Sequence, residues 1–187
     1  MSDYFLYTTI DDPRAQILKE ALLHEYDTRY GTFFDPQGAI TEINRYPASD
    51  FAPRYGNFVL LMRGDTAIGG GAFKFYDEKT AELKRIWTSD QYRRQGLATR
   101  IVTELEEQAA RQGYQKIYLT TGFKQPEAVA LYLKHGYRNL FDLNEDLEAL
   151  RKLPFEKDIS HLSPGFLAKD TVQDSVQDFH TQGGENL

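Results

Sequence analysis

TAELKRIWTSDQYRRQGLA, residues 80–98, passes from a strand-like run through a charged turn into a helical pattern. Helical spacing opens at Leu97 and continues through Ile101, Val102, Leu105 and Ala109, with Glu104, Glu106, Glu107 and Arg111 assigned to the opposite side and Gly113 as the stop. Between strand and helix, Arg93-Arg94-Gln95-Gly96-Leu97-Ala98 forms an R-x-x-G-x-A turn. A strand that feeds through a glycine-bearing turn into a helix leaves several backbone N–H groups unpaired, with the positive end of the helix dipole behind them. Gly96 and Ala98 lack bulk, so ligand oxygens can approach the main chain, while Arg93 or Arg94 adds a charge-assisted contact. The segment reads as a phosphate or pyrophosphate site; the alternative is an ordinary strand-to-helix turn with its arginines in solvent.

Working upstream, FVLLMR and DTAIGGGAFKFY precede TAELKRIWT, separated by Arg63-Gly64-Asp65 and by Tyr76-Asp77-Glu78-Lys79, and predict three antiparallel strands in a meander from Asn57. Before them, residues 31–56 hold three prolines and little periodicity, which predicts a long loop with one short helix around 38–46. An amphipathic helix is predicted from Asp11-Asp12-Pro13 to about Tyr30, with Ile17, Leu18, Ala21, Leu22 and Tyr26 on one face and Gly31 ending it. Downstream, KIYLTTG (116–122) reads as a strand and PEAVALYLKHG (126–136) as a helix with proline in its first turn; YRNLFDL starts another strand and LPFEKDI (153–159) is the last. Helices alternating with short strands predict an α/β or α+β layered domain with helices covering a central sheet.

The 187 residues are 41% hydrophobic and 27% charged, values of one globular domain with a substantial core, which excludes disorder throughout. No stretch approaches the roughly 18 apolar residues of a membrane span, and the acidic start lacks the basic residues of a secretory signal, so a cytoplasmic location without membrane partners is expected. Without cysteine there is no disulfide framework, thiolate nucleophile or Cys-ligated metal, and His24, His135, His161 and His180 show no metal-ligand spacing; no metal is expected. A net charge of −6 argues against nucleic acid, which selects a basic stripe, and favours a cationic or neutral small partner. Residues 160–187 hold four acids against Lys169 alone, so the chain divides into a domain over 1–159 and an acidic tail over 160–187, its last stretch expected to be mobile.

Residues 57–142 resemble the GCN5-related N-acetyltransferase (GNAT) family. Residues 93–98 are similar to its acetyl-CoA motif (Q/R)-x-x-G-x-(G/A) between the fourth strand and the next helix, and Leu131-Tyr132-Leu133-Lys134-His135-Gly136-Tyr137 to its L-Y-x-x-x-G-[FY] signature. Two motifs in the right order, about 35 residues apart, are more specific than either one. The resemblance implies a mixed, mostly antiparallel central sheet of about six or seven strands flanked by about four helices. It further implies acetyl-CoA as cosubstrate, with Arg93, Arg94, Gln95, Gly96, Leu97, Ala98 and Thr99 around the pyrophosphate. Ile86, Trp87 and Thr88 would pair with the pantetheine arm where the fourth and fifth strands splay. Arg94 stands where a glycine is common in the family.

An amine acceptor must lose a proton before it attacks a thioester, and the leaving thiolate must gain one. Glu82 resembles the family's base; its other reading is a solvent-facing glutamate paired with Lys84 or Lys79. Strict alternation sets Glu82 on one face with Lys84 and Ile86 and puts Trp87 out of phase, in the core or the thioester channel. Tyr132 resembles the family's general acid; its other reading is a core tyrosine. Gly69-Gly70-Gly71 lies inside a strand-like run, where a bulge or a close approach to the acceptor is expected rather than a phosphate loop. The aromatic residues Tyr26, Tyr30, Phe33, Phe34 and Tyr55 either wall an acceptor pocket or anchor the loop. The expected activity is transfer of acetyl to a primary amine of a small molecule or peptide by direct attack in a ternary complex. A non-catalytic acyl-CoA-binding regulatory module and a protein for another phosphate ligand stand as rivals, and a homodimer through a sheet or tail contact stays open.

Overall fold

Asn57–Arg63, NFVLLMR, is apolar at nearly every position, the texture of a strand covered on both faces, and it is buried from Asn57 to Met62. The computed structural model describes residues 2–163. In it this strand is β2 of a seven-stranded sheet ordered β1-β2-β3-β4-β5-β7-β6, with β1 Asp3–Tyr7, β3 Thr66–Asp77, β4 Thr80–Thr88, β5 Lys116–Gly122, β6 Arg138–Asn139 and β7 Lys152–Asp158. All its pairings are antiparallel except β4 with β5. The helices are α1 Gln16–Tyr30, α2 Ala39–Asn44, α3 Leu97–Arg111, α4 Pro126–Lys134 and α5 Leu147–Leu150.

Odd and even residues of β2 feed two cores. Val59 and Leu61 join Ile101, Val102 and Leu105 of α3 on one face, whereas Phe58, Leu60 and Met62 meet Leu18 of α1 and Phe51 on the other. Gly69, Gly70 and Gly71 lie within β3 and let both layers settle onto it: a Cβ at Gly69 or Gly71 would meet Ile101, and one at Gly70 would lie 2.8 Å from Leu18 Cδ1 and from Val59 O. Protein side chains, not an acceptor, occupy that space. Gly70→Ala is therefore expected to lower the unfolding free energy by about 1–3 kcal/mol through overpacking, measured by urea denaturation. A variant as stable as the parent would show that α1 rides on the sheet more loosely.

The meander, α3, α4 and the strand at 116–122 agree with the sequence reading, and the short helix in the loop falls at Ala39–Asn44. Several elements differ. The edge strand β1 was not expected; five residues starting at Asp3 carry too little pattern, and only pairing with β2 makes them a strand. The helix predicted from residue 11 begins as a 3₁₀ turn, Pro13–Ala15, capped by Asp12, and becomes α1 at Gln16; Ile17, assigned to its buried face, is 43% exposed. YRNLFDL contributes only the two residues of β6, and α5 adds a single turn before β7. Glu106, placed on the solvent side of α3, is buried, accepting from Tyr137 Oη at 2.9 Å and from Lys157 Nζ at 3.0 Å. The acidic tail lies, beyond Ser163, outside the described residues.

Candidate functional site

β4 and β5 pair only through Thr80, Ala81 and Glu82, against Lys116, Ile117 and Tyr118. From Leu83 and Leu119 onward the two strands separate, and the gap opens into a cleft of about 750 Å³ lined by Leu83 to Thr88 on one side and Leu119 to Gly122 on the other. Main-chain groups of β4 that face this gap have no strand partner, so an extended ligand can occupy it as a further strand would.

A one-residue irregularity shapes the wall of the cleft. Ala72 pairs with Lys84 but Gly70 with Trp87, so β4 carries an extra residue, and Arg85 there has φ 61°. The bulge expected at the glycines thus has two counterparts, this one across from them in β4 and another beside Gly69, where β3 carries the extra residue Ile68 against β2. The bulge in β4 breaks the alternation: Lys84 and Arg85 both turn toward α2, Ile86 turns to the α3 side, and Trp87 packs with Leu18 in the α1 core. Glu82 shares a face with Lys84, as expected, but not with Ile86, and Trp87 lies on the Glu82 side.

The turn closing one end of the cleft follows a 3₁₀ segment, Asp90–Tyr92. Arg94 has φ 63° and Gly96 φ 70°; a left-handed Gly96 is the residue from which α3 departs, and no side chain caps it. The first bond of the helix runs from Arg100 N to Gly96 O at 3.1 Å, so the N–H groups of Leu97, Ala98 and Thr99 have no acceptor among the described residues. Those three residues, with Gly96, Arg93 and Arg94, line the cleft. A Cβ at Gly96 would meet none of the described residues within 4 Å, which leaves the corner open among them. Gln95 does not line it; its side-chain Oε1 accepts from Arg63 Nη2 at 3.2 Å. Arg93 donates through Nε to Asp90 at 3.0 Å, and Arg94 has no ion-pair partner among the described residues.

Across the cleft, α4 brings Tyr132 to the lining, 6% exposed and packed edge-on to Tyr137 at 5.4 Å. Its hydroxyl makes no hydrogen bond among the described residues, and burial pushes the phenol well above its ordinary pKa. Glu82 is 8% exposed and does not line the cleft; Lys84 Nζ lies 3.1 Å and Lys74 Nζ 3.7 Å from its carboxylate. Lys84, which does line the cleft, stands between Glu82 and the open space.

The other end of the cleft is walled by Tyr26, Phe34 and Tyr46 from α1 and the following loop. Tyr30 and Phe33 stand behind, joined to Phe34 at 5.1 and 5.0 Å, and Tyr30 Oη accepts from Lys124 N at 3.1 Å. Of the aromatic set, Tyr26 and Phe34 line the cleft, and Tyr30 and Phe33 anchor the loop. Tyr55 does not line the cleft; it holds the end of the loop to β3, packing edge-on against Phe75 at 5.7 Å. Tyr46, Arg85 and Lys152 were missed. Arg85 is set by a bulge that no local pattern announces, and Lys152 reaches the cleft because β7 pairs with β5, Gly122 facing Lys152.

A family model described as the Acetyltransferase (GNAT) family matches residues 19–137. An uncharacterised N-acetyltransferase of Bacillus subtilis strain 168, YsnE, is 36% identical over 65 residues, 35% of this chain and 43% of that protein. An uncharacterised N-acetyltransferase of Escherichia coli K12, YedL, is 33% identical over 82 residues, 43% of this chain and 52% of that protein. The chain thus spans about half the length of these curated relatives. A GNAT family acetyltransferase from Elizabethkingia anophelis, solved with acetyl-CoA bound, shares the fold with a TM-score of 0.60 at 16% identity, over 83% of this chain and 97% of that one. Among the described residues no helix is long and apolar enough to cross a membrane, and no group of His, Cys, Asp and Glu side chains is arranged to hold a metal.

Proposed function

The chain belongs to the Acetyltransferase (GNAT) family, and from that premise we propose that it is an acetyl-CoA-dependent N-acyltransferase acting on a primary amine by direct attack in a ternary complex. The observation that carries this reading is the junction of two openings in one cleft: unpaired N–H groups at the start of α3, suited to a diphosphate, and unpaired β4 main chain, suited to the amides of a pantetheine arm. Gly96, Leu97, Ala98 and Thr99 would hold the diphosphate through their amides, with Arg94 and Arg93 adding charge, and Gln95 contributing main chain only. Ile86, Trp87 and Thr88 would pair with the arm. Acetyl-CoA supplies an activated carbonyl and a thiol leaving group.

The chain supplies the proton traffic. A free alkylamine is mostly charged at neutral pH and must shed a proton before it can attack. Glu82 is proposed to collect that proton through water, because its carboxylate is one strand position back from the cleft and held by Lys84. Tyr132 is proposed to donate to the departing sulfur. Glu82→Gln is expected to lower kcat/KM about 10²-fold while acetyl-CoA affinity stays within about twofold. An unchanged rate would assign the deprotonation to bulk water.

The test of the function is release of free thiol from acetyl-CoA in the presence of an amine panel. Turnover on at least one amine supports the transferase. Tight cofactor binding with no turnover on any amine favours the regulatory module, and tighter binding of ATP or a dinucleotide than of coenzyme A favours the other rival. A cytoplasmic location and a homodimer belong to the same proposal, the second being tested by sedimentation of the purified protein.

A further inference from the structure

The acceptor end of the cleft is positively charged inside an acidic protein. Lys84, Arg85 and Lys152 line it, and so do the carboxylates Glu25 and Glu42, which are held by Arg29 and Arg45, each at 3.3 Å. Lys84 is already matched, by Glu82 at 3.1 Å and by the Tyr46 ring, 5.3 Å from its nitrogen. Arg85 is not: its Nη2 donates to Ile43 O at 2.8 Å, its guanidinium lies over the Phe51 ring, and its Nε is buried with no partner among the described residues. Dehydration lowers the pKa of Arg85, with Glu42 only partly opposing it. Lys152, exposed at the mouth beside the Phe34 ring, has no carboxylate within ion-pair distance among the described residues. Partial dehydration lowers its pKa too; Glu42 and Glu82 oppose this, whereas Lys84 and Arg45 add to it. Glu42, the carboxylate common to both surroundings, is itself 3.3 Å from Arg45.

A cation withdrawn from water without a counter-charge is costly, and a buried N–H without an acceptor costs more again. A ligand that brings an anion to the cleft side of these groups supplies the counter-charge they lack. We infer that the acceptor is an amine that also carries a carboxylate, its acid group bound between Arg85 and Lys152 and its apolar part lying against Tyr26, Phe34 and Tyr46. This deepens the transferase reading and rests on it for the amine, though not for the acid. It reverses the expectation drawn from net charge: a polyamine would meet Lys84, Arg85 and Lys152 with like charge, and the −6 of the whole chain acts from farther away through screening solvent.

The experiment compares amino acids with their carboxamides, plus spermidine, as acceptors in thiol release. In parallel, N-acetyl amino acids and N-acetyl amino acid amides are titrated by calorimetry into the protein saturated with coenzyme A. Free acids are expected to exceed their amides ten- to a hundredfold in kcat/KM and in affinity. That ratio should fall toward one in Lys152→Met and in Arg85→Met; Lys152, exposed at the cleft mouth, gives a variant that folds even where Arg85→Met does not. Amides or spermidine equal to the acids, or a ratio untouched in Lys152→Met, would overturn the inference while leaving the transferase in place. Acid-selective binding, lost in Lys152→Met but without thiol release on any amine, would support the carboxylate site and overturn the transfer reaction alone.

Discussion

Gly96→Glu is expected to abolish acetyl-CoA binding. Two effects are superimposed at this position and can be separated. Gly96 has φ 70°, so any side chain there strains the turn by about 1–2 kcal/mol, yet a Cβ would meet none of the described residues within 4 Å. Gly96→Ala therefore tests strain alone, and its affinity should stay within about tenfold of the parent. Glutamate adds a negative charge beside the N–H groups of Leu97, Ala98 and Thr99, where a diphosphate would lie. Like charges about 4 Å apart near a protein surface repel by about 4 kcal/mol, which leaves a loss of at least about 10²-fold after screening. Calorimetry with acetyl-CoA reads the difference, and a thermal melt close to that of Gly96→Ala shows that the glutamate variant is folded. Undiminished binding in Gly96→Glu would remove the diphosphate from this corner and with it the assignment of residues 93–99.

What the sequence announced and what it withheld divide along one line. Elements whose own residues carry the pattern were legible: α3 by its spacing, β2 by its apolar run, and α4 between Pro126 and Gly136. Elements that exist because of a distant partner were not. β1 is a strand through its pairing with β2, and Glu106 is buried because Tyr137 and Lys157 arrive from elements about 30 and 50 residues away to hydrogen-bond its carboxylate. Periodicity alone puts a glutamate on the wet side of a helix.

The candidate site follows the same division. The turn at 93–98 is local, since strand, glycine and helix are contiguous, and its open amides follow from that succession. The aromatic end of the cleft, where the acceptor is proposed to lie, is assembled from α1, α2, β4 and β7, and its charge depends on which cations these elements leave without a partner. The bulge at Arg85 shows why alternation failed: one added residue exchanges the two faces for everything after it, so Ile86 and Trp87 stand opposite to where a period of two puts them. Tyr55 illustrates the converse, because one aromatic residue of the loop anchors it to β3 while two others line the cleft, a division that composition does not carry.

Tyr132→Phe is expected to lower kcat about 10²- to 10³-fold and leave acetyl-CoA affinity within about twofold. The phenol is buried at the cleft, and its hydroxyl has no hydrogen bond among the described residues, so the substitution removes no internal bond and leaves the ring against Tyr137 and Phe155. Stability should therefore change little, and a merely structural tyrosine would leave the rate unchanged as well. The raised pKa does not disqualify the donor. In water a phenol near 10 protonates a thiolate near 8.5 at a cost of only about 2 kcal/mol, and the dehydration that raises the phenol raises a thiolate in the same cleft too, so the gap stays of that order. The sign of the pH dependence follows: with its folded pKa above the ordinary value, Tyr132 stays protonated through neutral and moderately alkaline pH, so the parent should show no loss of kcat from this group between about pH 7 and 10. Equal kcat for the parent and Tyr132→Phe would hand protonation of the sulfur to water.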